Sequence, residues 1–327
     1  MNHKDRQRIW ITAGIILAIL ILLIITIAVG KTNQNNSTDE ASMLKSDIAA
    51  YADSQKQSTR STAEETMQTP KGNALMSADP VQKKQRNDVS GNSLYETTGA
   101  TFRDKSKYAE LKYDTQKQLA EMMTYWSQNN MDAVYDLVSL DRYEAMSASL
   151  SESNYLYYGD KDASGTPDGT GIAVYAQDQY YYGSWSKGIR SGQGEWYQFY
   201  PKDSDNVVAL HMYSGAWAND LPNGSGQEHY DFNLNRMDGV SFYPQNVIGD
   251  FADGYYNGKM YVITQDQSGK TTEWYGTCDK GVWTALGNSD PQKKIPVLYQ
   301  SDQKEHYIWM SEAANRNYRV ENLIAER

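Results

Sequence analysis

One cysteine, Cys278, serves all 327 residues, so no disulfide forms within the chain and no cysteine-rich metal site is available. Histidine is equally scarce. His3, His211, His229 and His306 show no metal-ligand spacing with one another or with Cys278. No metal and no cofactor are expected. Positive charge is short too: 31 Lys and Arg face 41 Asp and Glu, a net charge of −10. That balance excludes nucleic acid as the expected partner and disfavours an anionic membrane surface. Only five phenylalanines are present, against 26 tyrosines. A tyrosine ring packs while its hydroxyl reaches water, so this chain is expected to form thin layers with wet edges.

One long apolar run stands out against this polar background. Residues 9–30 are 22 consecutive uncharged, mostly apolar positions. As a helix they span roughly 33 Å, enough to cross a bilayer. Lys4, Arg6 and Arg8 precede the run, opposed by Asp5 alone. The positive flank places the N-terminus on the cytoplasmic side and the rest outside, with Trp10 as an interfacial anchor. A cleaved signal peptide is the rival, but its apolar core is shorter, about 7–15 residues. The expected location is therefore the cell membrane, single-pass, with an extracytoplasmic C-terminal domain.

Composition divides the remainder. Residues 31–103 are rich in Ser, Thr, Gln and Asn and poor in large apolar side chains, which reads as a disordered or partly helical stalk. In 104–150, Tyr108, Leu111, Leu119, Met122, Met123 and Trp126 fit an amphipathic helix. Asn129 and Asn130 interrupt it, and Met131, Val134, Tyr135 and Val138 form a second stripe. Asp141 followed by Glu144 has the capping-box spacing that opens a third helix. From 151 to 287 short aromatic strands alternate with glycine turns, which is β structure. In 288–327 a C-terminal capping helix is expected, with Ser311 as its N-cap.

The β region repeats itself. Gly169 and Gly171, Gly192 and Gly194, and Gly224 and Gly226 are Gly-x-Gly pairs, and Gly258 heads a fourth copy that has Met260 in place of the second glycine. An aromatic element precedes each later pair: Tyr182-Gly183-Ser184-Trp185, Tyr213-Ser214-Gly215-Ala216-Trp217, and Val247-Ile248-Gly249-Asp250-Phe251. Gly188 marks the turn of the second copy, and Asp220 stands there in the third. A strand entering a turn and a strand returning make a hairpin, and stacked hairpins bury a continuous aromatic row. The wider steps late in the array leave room for loops near 200–210 and 231–245.

Tyr-x-Gly-x-Trp-x-x-Gly-x-x-x-Gly-x-Gly resembles the MORN repeat. Tyr182, Gly183, Trp185, Gly188, Gly192 and Gly194 carry the resemblance, and the third copy departs by Asp220 and by one inserted residue. The resemblance covers about 157–285. It implies a mainly β fold: an elongated antiparallel hairpin ribbon preceded by a small helical unit, the stalk and the transmembrane helix. It also implies a scaffold, lipid-contact or protein-interaction role.

Other chemistry is weaker. Residues 160–165 open like a calcium loop, with Asp160, Asp162, Ser164, Gly165 and Asp168 in place, but Gly171 stands where a bidentate Glu is required. A polar turn is the plainer reading. Gly192-Gln-Gly194 lacks the Lys-Ser/Thr pair of a phosphate loop. His211 alternates with Tyr213 along a strand, so an edge or surface position is expected. No catalytic constellation emerges. The expectation is a non-enzymatic protein whose exposed aromatic face (Tyr182, Trp185, Tyr213, Trp217) binds an unknown protein or a second copy. A cell-wall glycan or a lipid headgroup is the alternative ligand.

Overall fold

The fold is described from a computed structural model over residues 81–82, 104–151, 154–201, 206–237, 243–313 and 315. The apolar run at 9–30, the stalk apart from residues 81–82, and the residues after 315 lie outside that set. Among the described residues no helix is long and apolar enough to cross a membrane.

Three helices open the described region. α1 (Thr115–Ser127) starts on Asp114, whose side chain accepts the Lys117 amide at 3.1 Å. α2 (Met131–Val138) starts on Asn130, which accepts the Ala133 amide at 3.3 Å. Each cap satisfies an amide that the helix leaves without an internal partner. α3 (Asp141–Ala148) does not use the expected capping box. Its N-cap is Leu140, which has no side-chain acceptor, and Asp141 and Glu144 lie inside the first turn. Glu144 instead accepts the Tyr108 hydroxyl at 2.6 Å, tying a short 3-10 turn (Lys105–Tyr108) to α3.

The rest is one antiparallel sheet. Its strands are β1 (Val81–Gln82), β2 (Asn154–Lys161), β3 (Pro167–Tyr175), β4 (Gln179–Ser186), β5 (Ile189–Phe199) and β6 (Val208–Ala218). They continue as β7 (Leu221–Phe232), β8 (Tyr243–Ala252), β9 (Tyr255–Gln265), β10 (Thr271–Asp279), β11 (Val282–Trp283), β12 (Lys294–Gln300) and β13 (Tyr307–Ser311). Neighbours in sequence are neighbours in space, except that β10 pairs with both β11 and β12. The sheet thus runs through the boundary drawn at 287. Ser311, expected to cap a helix, ends β13, and most of the residues such a helix would occupy lie outside the described set.

Tight turns at one end of the hairpins explain the spacing. Lys187-Gly188, Asn219-Asp220, Asp253-Gly254 and Lys280-Gly281 all have positive φ at both positions, between 44° and 84°. Two such residues make the mirror-image turn whose twist matches paired strands. Asp220 tolerates a glycine position because its carboxylate accepts the Arg190 amide at 3.1 Å and Nε at 2.6 Å. Each turn is also latched to the hairpin before it. The amides of Gly188, Asp220, Gly254 and Gly281 donate to the carbonyls of Pro167, Arg190, Pro222 and Tyr256 at 2.7–3.1 Å. At the opposite end the connections include the longer segments 200–207 and 233–242, close to where the sequence required them.

Strand alternation divides the side chains between two faces. One carries Tyr157, Tyr181, Trp185, Trp196, Tyr213, Trp217, with their neighbours, in a single buried cluster. The other carries Leu156, Ile172, Val174, Tyr180, Tyr197 and Leu210, and the three helices pack over it from β2 to β6.

Candidate functional site

The repeat motif becomes physical along a line of glycines. Gly159, Gly171, Gly183, Gly194, Gly215, Gly226 and Gly249 pair with one another in turn across β2 to β8. Tyrosine rings lie over this line. A Cβ on Gly171, Gly194 or Gly226 would overlap the ring of Tyr157, Tyr181 or Tyr213, respectively. Each hydroxyl then donates to the carbonyl three residues on in its own strand: Asp160 at 2.7 Å, Ser184 at 2.9 Å and Ala216 at 2.9 Å. Register shifts after Gly159, Gly183, Gly215 and Gly249 place the extra residues on the return strands β3, β5, β7 and β9. A bulge bends its own strand, here the one that carries the glycine under each ring. Gly169, Gly192, Gly224 and Gly258 take positive φ on the return strands.

The tryptophans tie one copy to the next. Trp185 Nε1 donates to the Gly171 carbonyl at 3.2 Å, and Trp217 Nε1 to the Gly194 carbonyl at 3.0 Å. Edge-to-face contacts alternate from Tyr157 through Trp185, Tyr181, Trp217 and Tyr213 to Phe251, with centroids 4.9–5.3 Å apart. Arg190 lies 4.4 Å from the Trp217 ring centre while its Nε holds Asp220.

This geometry corrects the residue taken as the start of the second copy. Tyr181, not Tyr182, is the counterpart of Tyr213, so the second and third copies have identical Tyr-Gly-Trp spacing and no inserted residue. A shift of one position along a strand reverses the face. Tyr182 accordingly points to the helices, where its ring meets Trp126 at 5.9 Å. The four residues expected on one exposed aromatic face are therefore divided. Trp185 and Trp217 are 3% exposed and Tyr213 is fully buried, all three in the core of the array. Tyr182 is half-buried on the opposite side.

The fourth copy departs from the motif as a matched pair. Val247 replaces the tyrosine and Met260 replaces the return-strand glycine, and a Cβ on Gly249 would meet the Met260 sulfur at 2.6 Å. The methionine fills from one strand the space that a tyrosine fills from the other.

Two polar groupings have no counterpart in the motif. Glu228, fully buried among the aromatics, occupies the place held by Trp196 and Val262 in neighbouring copies. Tyr256 and Tyr230 donate to its Oε2, and His211 Nε2 lies 3.3 Å from Oε1. His211 is 2% exposed and stacks on Tyr230 at 4.2 Å, so its expected edge position is not observed. Its partner Glu228 supplies the polar contact that water would give at a surface. On the helix side, His229 contacts the Asn246 Oδ1 at 2.9 Å and the Asp231 carboxylate at 3.0 Å. Burial opposes charge on His229, but Asp231 and Asn246 outweigh it and hold its pKa above the ordinary value.

The helix-side face also carries Glu195. Trp126 Nε1 donates to its Oε2 at 2.6 Å across the interface between α1 and β5. Burial raises the Glu195 pKa, and the Trp126 bond only partly counters it. Around it stand Tyr182, pushed up to about 12 by burial and by Glu195, and Tyr197 and Tyr135, both raised by burial.

The calcium-like stretch is a self-contained turn. Asp162 Oδ1 accepts the Ser164 and Thr166 amides, both at 2.9 Å, and the Ser164 hydroxyl at 2.6 Å. Asp160 Oδ2 accepts the Thr170 amide at 3.0 Å. Asp266 repeats the arrangement with Ser268 and Lys270 between β9 and β10. Among the described residues no group of three or more His, Cys, Asp or Glu is placed to hold a metal ion.

The MORN repeat family matches the chain at residues 181–197 and 213–231. The first match begins at Tyr181 and the second at Tyr213, the two tyrosines that the geometry makes equivalent. No curated protein matches the chain.

Proposed function

We propose that this chain is a membrane-anchored, extracytoplasmic MORN-repeat protein acting as a protein-interaction or scaffolding module. MORN repeats commonly serve as contact modules for proteins or membrane phospholipids. The net charge of −10 favours protein over anionic phospholipid here. The apolar run at 9–30, with its positive flank, supports the anchor and its orientation.

The observation that carries the reading is the burial of the motif itself. Sugar stacking needs accessible ring faces, and Trp185, Tyr213 and Trp217 have theirs against one another and against glycine backbone. The repeats supply a stiff framework, and contacts fall to residues the motif does not prescribe. Membrane-impermeant cross-linking of intact cells displaying the full chain tests this. Discrete protein adducts are expected. Co-sedimentation with purified wall glycan, or with vesicles of anionic phospholipid, in place of protein adducts would overturn the reading.

A further inference from the structure

Glu195 sits at the rim where the helical cover of the sheet ends. The motif does not call for an acid there. In the cross-strand row that contains it, Ile172, Tyr182, Ser214, Gln227, Ile248 and Tyr261 occupy the other strands, all uncharged. Glu195 is half-buried and makes one hydrogen bond, from Trp126 Nε1 to Oε2. Its Oε1 receives no donor from the described residues.

The side chains that gather beside it are aromatic. The Trp126 ring stands 5.9 Å from Tyr182 and 5.0 Å, edge-on, from Tyr197, which in turn lies 6.3 Å from Tyr135. Aromatic faces carry negative quadrupole density and attract cations. The Tyr182 hydroxyl is shielded from solvent and has no partner among the described residues. No cation of the described residues balances Glu195. Arg190 is on the opposite face, held by Asp220, and Arg142 pairs with Glu121. Asp231, the other carboxylate that acts on Tyr135 and Tyr197, already has His229 at 3.0 Å. A partly desolvated carboxylate without a counter-charge is costly, and an incoming cation relieves that cost.

We propose that half-buried Glu195, flanked by half-buried Tyr182 and Tyr135 and backed by buried Trp126 and Tyr197, receives a lysine or arginine side chain from a protein partner. This rests on the protein-interaction reading above and gives the partner's chemistry: a basic segment, complementary to an acidic chain. The carboxylate pairs with the cation, and the half-buried rings of Tyr135 and Tyr182 flank its alkyl stem.

The test uses the full chain in detergent and fluorescein-labelled octalysine, followed by fluorescence anisotropy at about 0.15 M salt, where remote charges are largely screened. Glu195→Gln keeps an oxygen for Trp126 and removes the charge. Glu110→Gln removes the same charge from an exposed position. Glu195→Gln is expected to weaken binding about tenfold and Glu110→Gln less than about twofold. Equal losses, or none in Glu195→Gln, overturn the proposal. A second measurement does not depend on that variant folding. In wild-type protein carrying 15N-tryptophan, the indole resonance missing from Trp126→Phe is expected to shift and saturate with octalysine, and an unmoved resonance contradicts the proposal. Protein adducts in cells with no effect at Glu195 would leave the interaction module standing and remove this site.

Discussion

On one face of the sheet Tyr157, Tyr181 and Tyr213 lie over Gly171, Gly194 and Gly226, and Trp185 and Trp217 close the gaps between copies. On the other, Tyr182 and Tyr197 meet Trp126 and Tyr135 from helices that belong to no repeat. Both faces are rich in tyrosine, yet the rings do different work. The first set is prescribed by a glycine on the adjacent strand and is self-sufficient. The second is prescribed by whatever covers it, and where the cover ends at Glu195 it leaves a polar, aromatic rim.

Substitutions on the motif face are expected to be the most damaging. Trp217→Ala removes the ring that links two copies, its bond to the Gly194 carbonyl and the surface under Arg190. A loss of about 3–5 kcal/mol is expected in denaturant unfolding, as for large-to-small changes in a packed core. Gly194→Ala comes next, at about 1–3 kcal/mol or more, because the added methyl meets a Tyr181 ring fixed by its bond to Ser184. The fourth copy sharpens the same rule. Val247→Tyr alone and Met260→Gly alone should each destabilise, while the double variant restores the usual pairing. The coupling between them should fall at about 0.5–3 kcal/mol in the favourable direction, and strict additivity would break the account of the swap.

The helix-side face should respond weakly and through pH. Glu195 holds its proton more tightly folded than unfolded. The folded state therefore binds more protons between the two pKa values, and stability falls as pH rises through that window. Glu195→Gln lacks this fall, so its melting temperature at pH 7 is expected to equal or exceed that of the wild type. His229, also raised, adds stability at pH values below its unfolded pKa that is lost as pH climbs through its folded pKa. His229→Gln should flatten that part of the melting profile.

The division between faces also marks what was legible in the sequence. The glycine spacing and the aromatic strands disclose the hairpins, and the apolar stripes around Leu119, Met122, Val134 and Val138 disclose two helices. Facing was not legible, because Tyr180, Tyr181 and Tyr182 run consecutively and only the paired Gly194 identifies the ring that folds over it. Burial of His211 depends on Glu228, 17 residues away on the next strand. β12 and β13 lack the glycine signal altogether. Ile295, Val297, Leu298, Ile308 and Met310 nevertheless extend the aromatic core, so the sheet continues up to Ser311, and the capping helix expected beyond it falls largely outside the described residues.

Hydroxyl-radical footprinting of the folded full chain, read by mass spectrometry at single residues, tests most directly whether the repeat aromatics are core. Trp185, Tyr213 and Trp217 are expected to resist oxidation, while Trp309, 38% exposed on β13, is modified readily. Oxidation of Trp185 and Trp217 at the rate of Trp309 in the native protein would contradict the account.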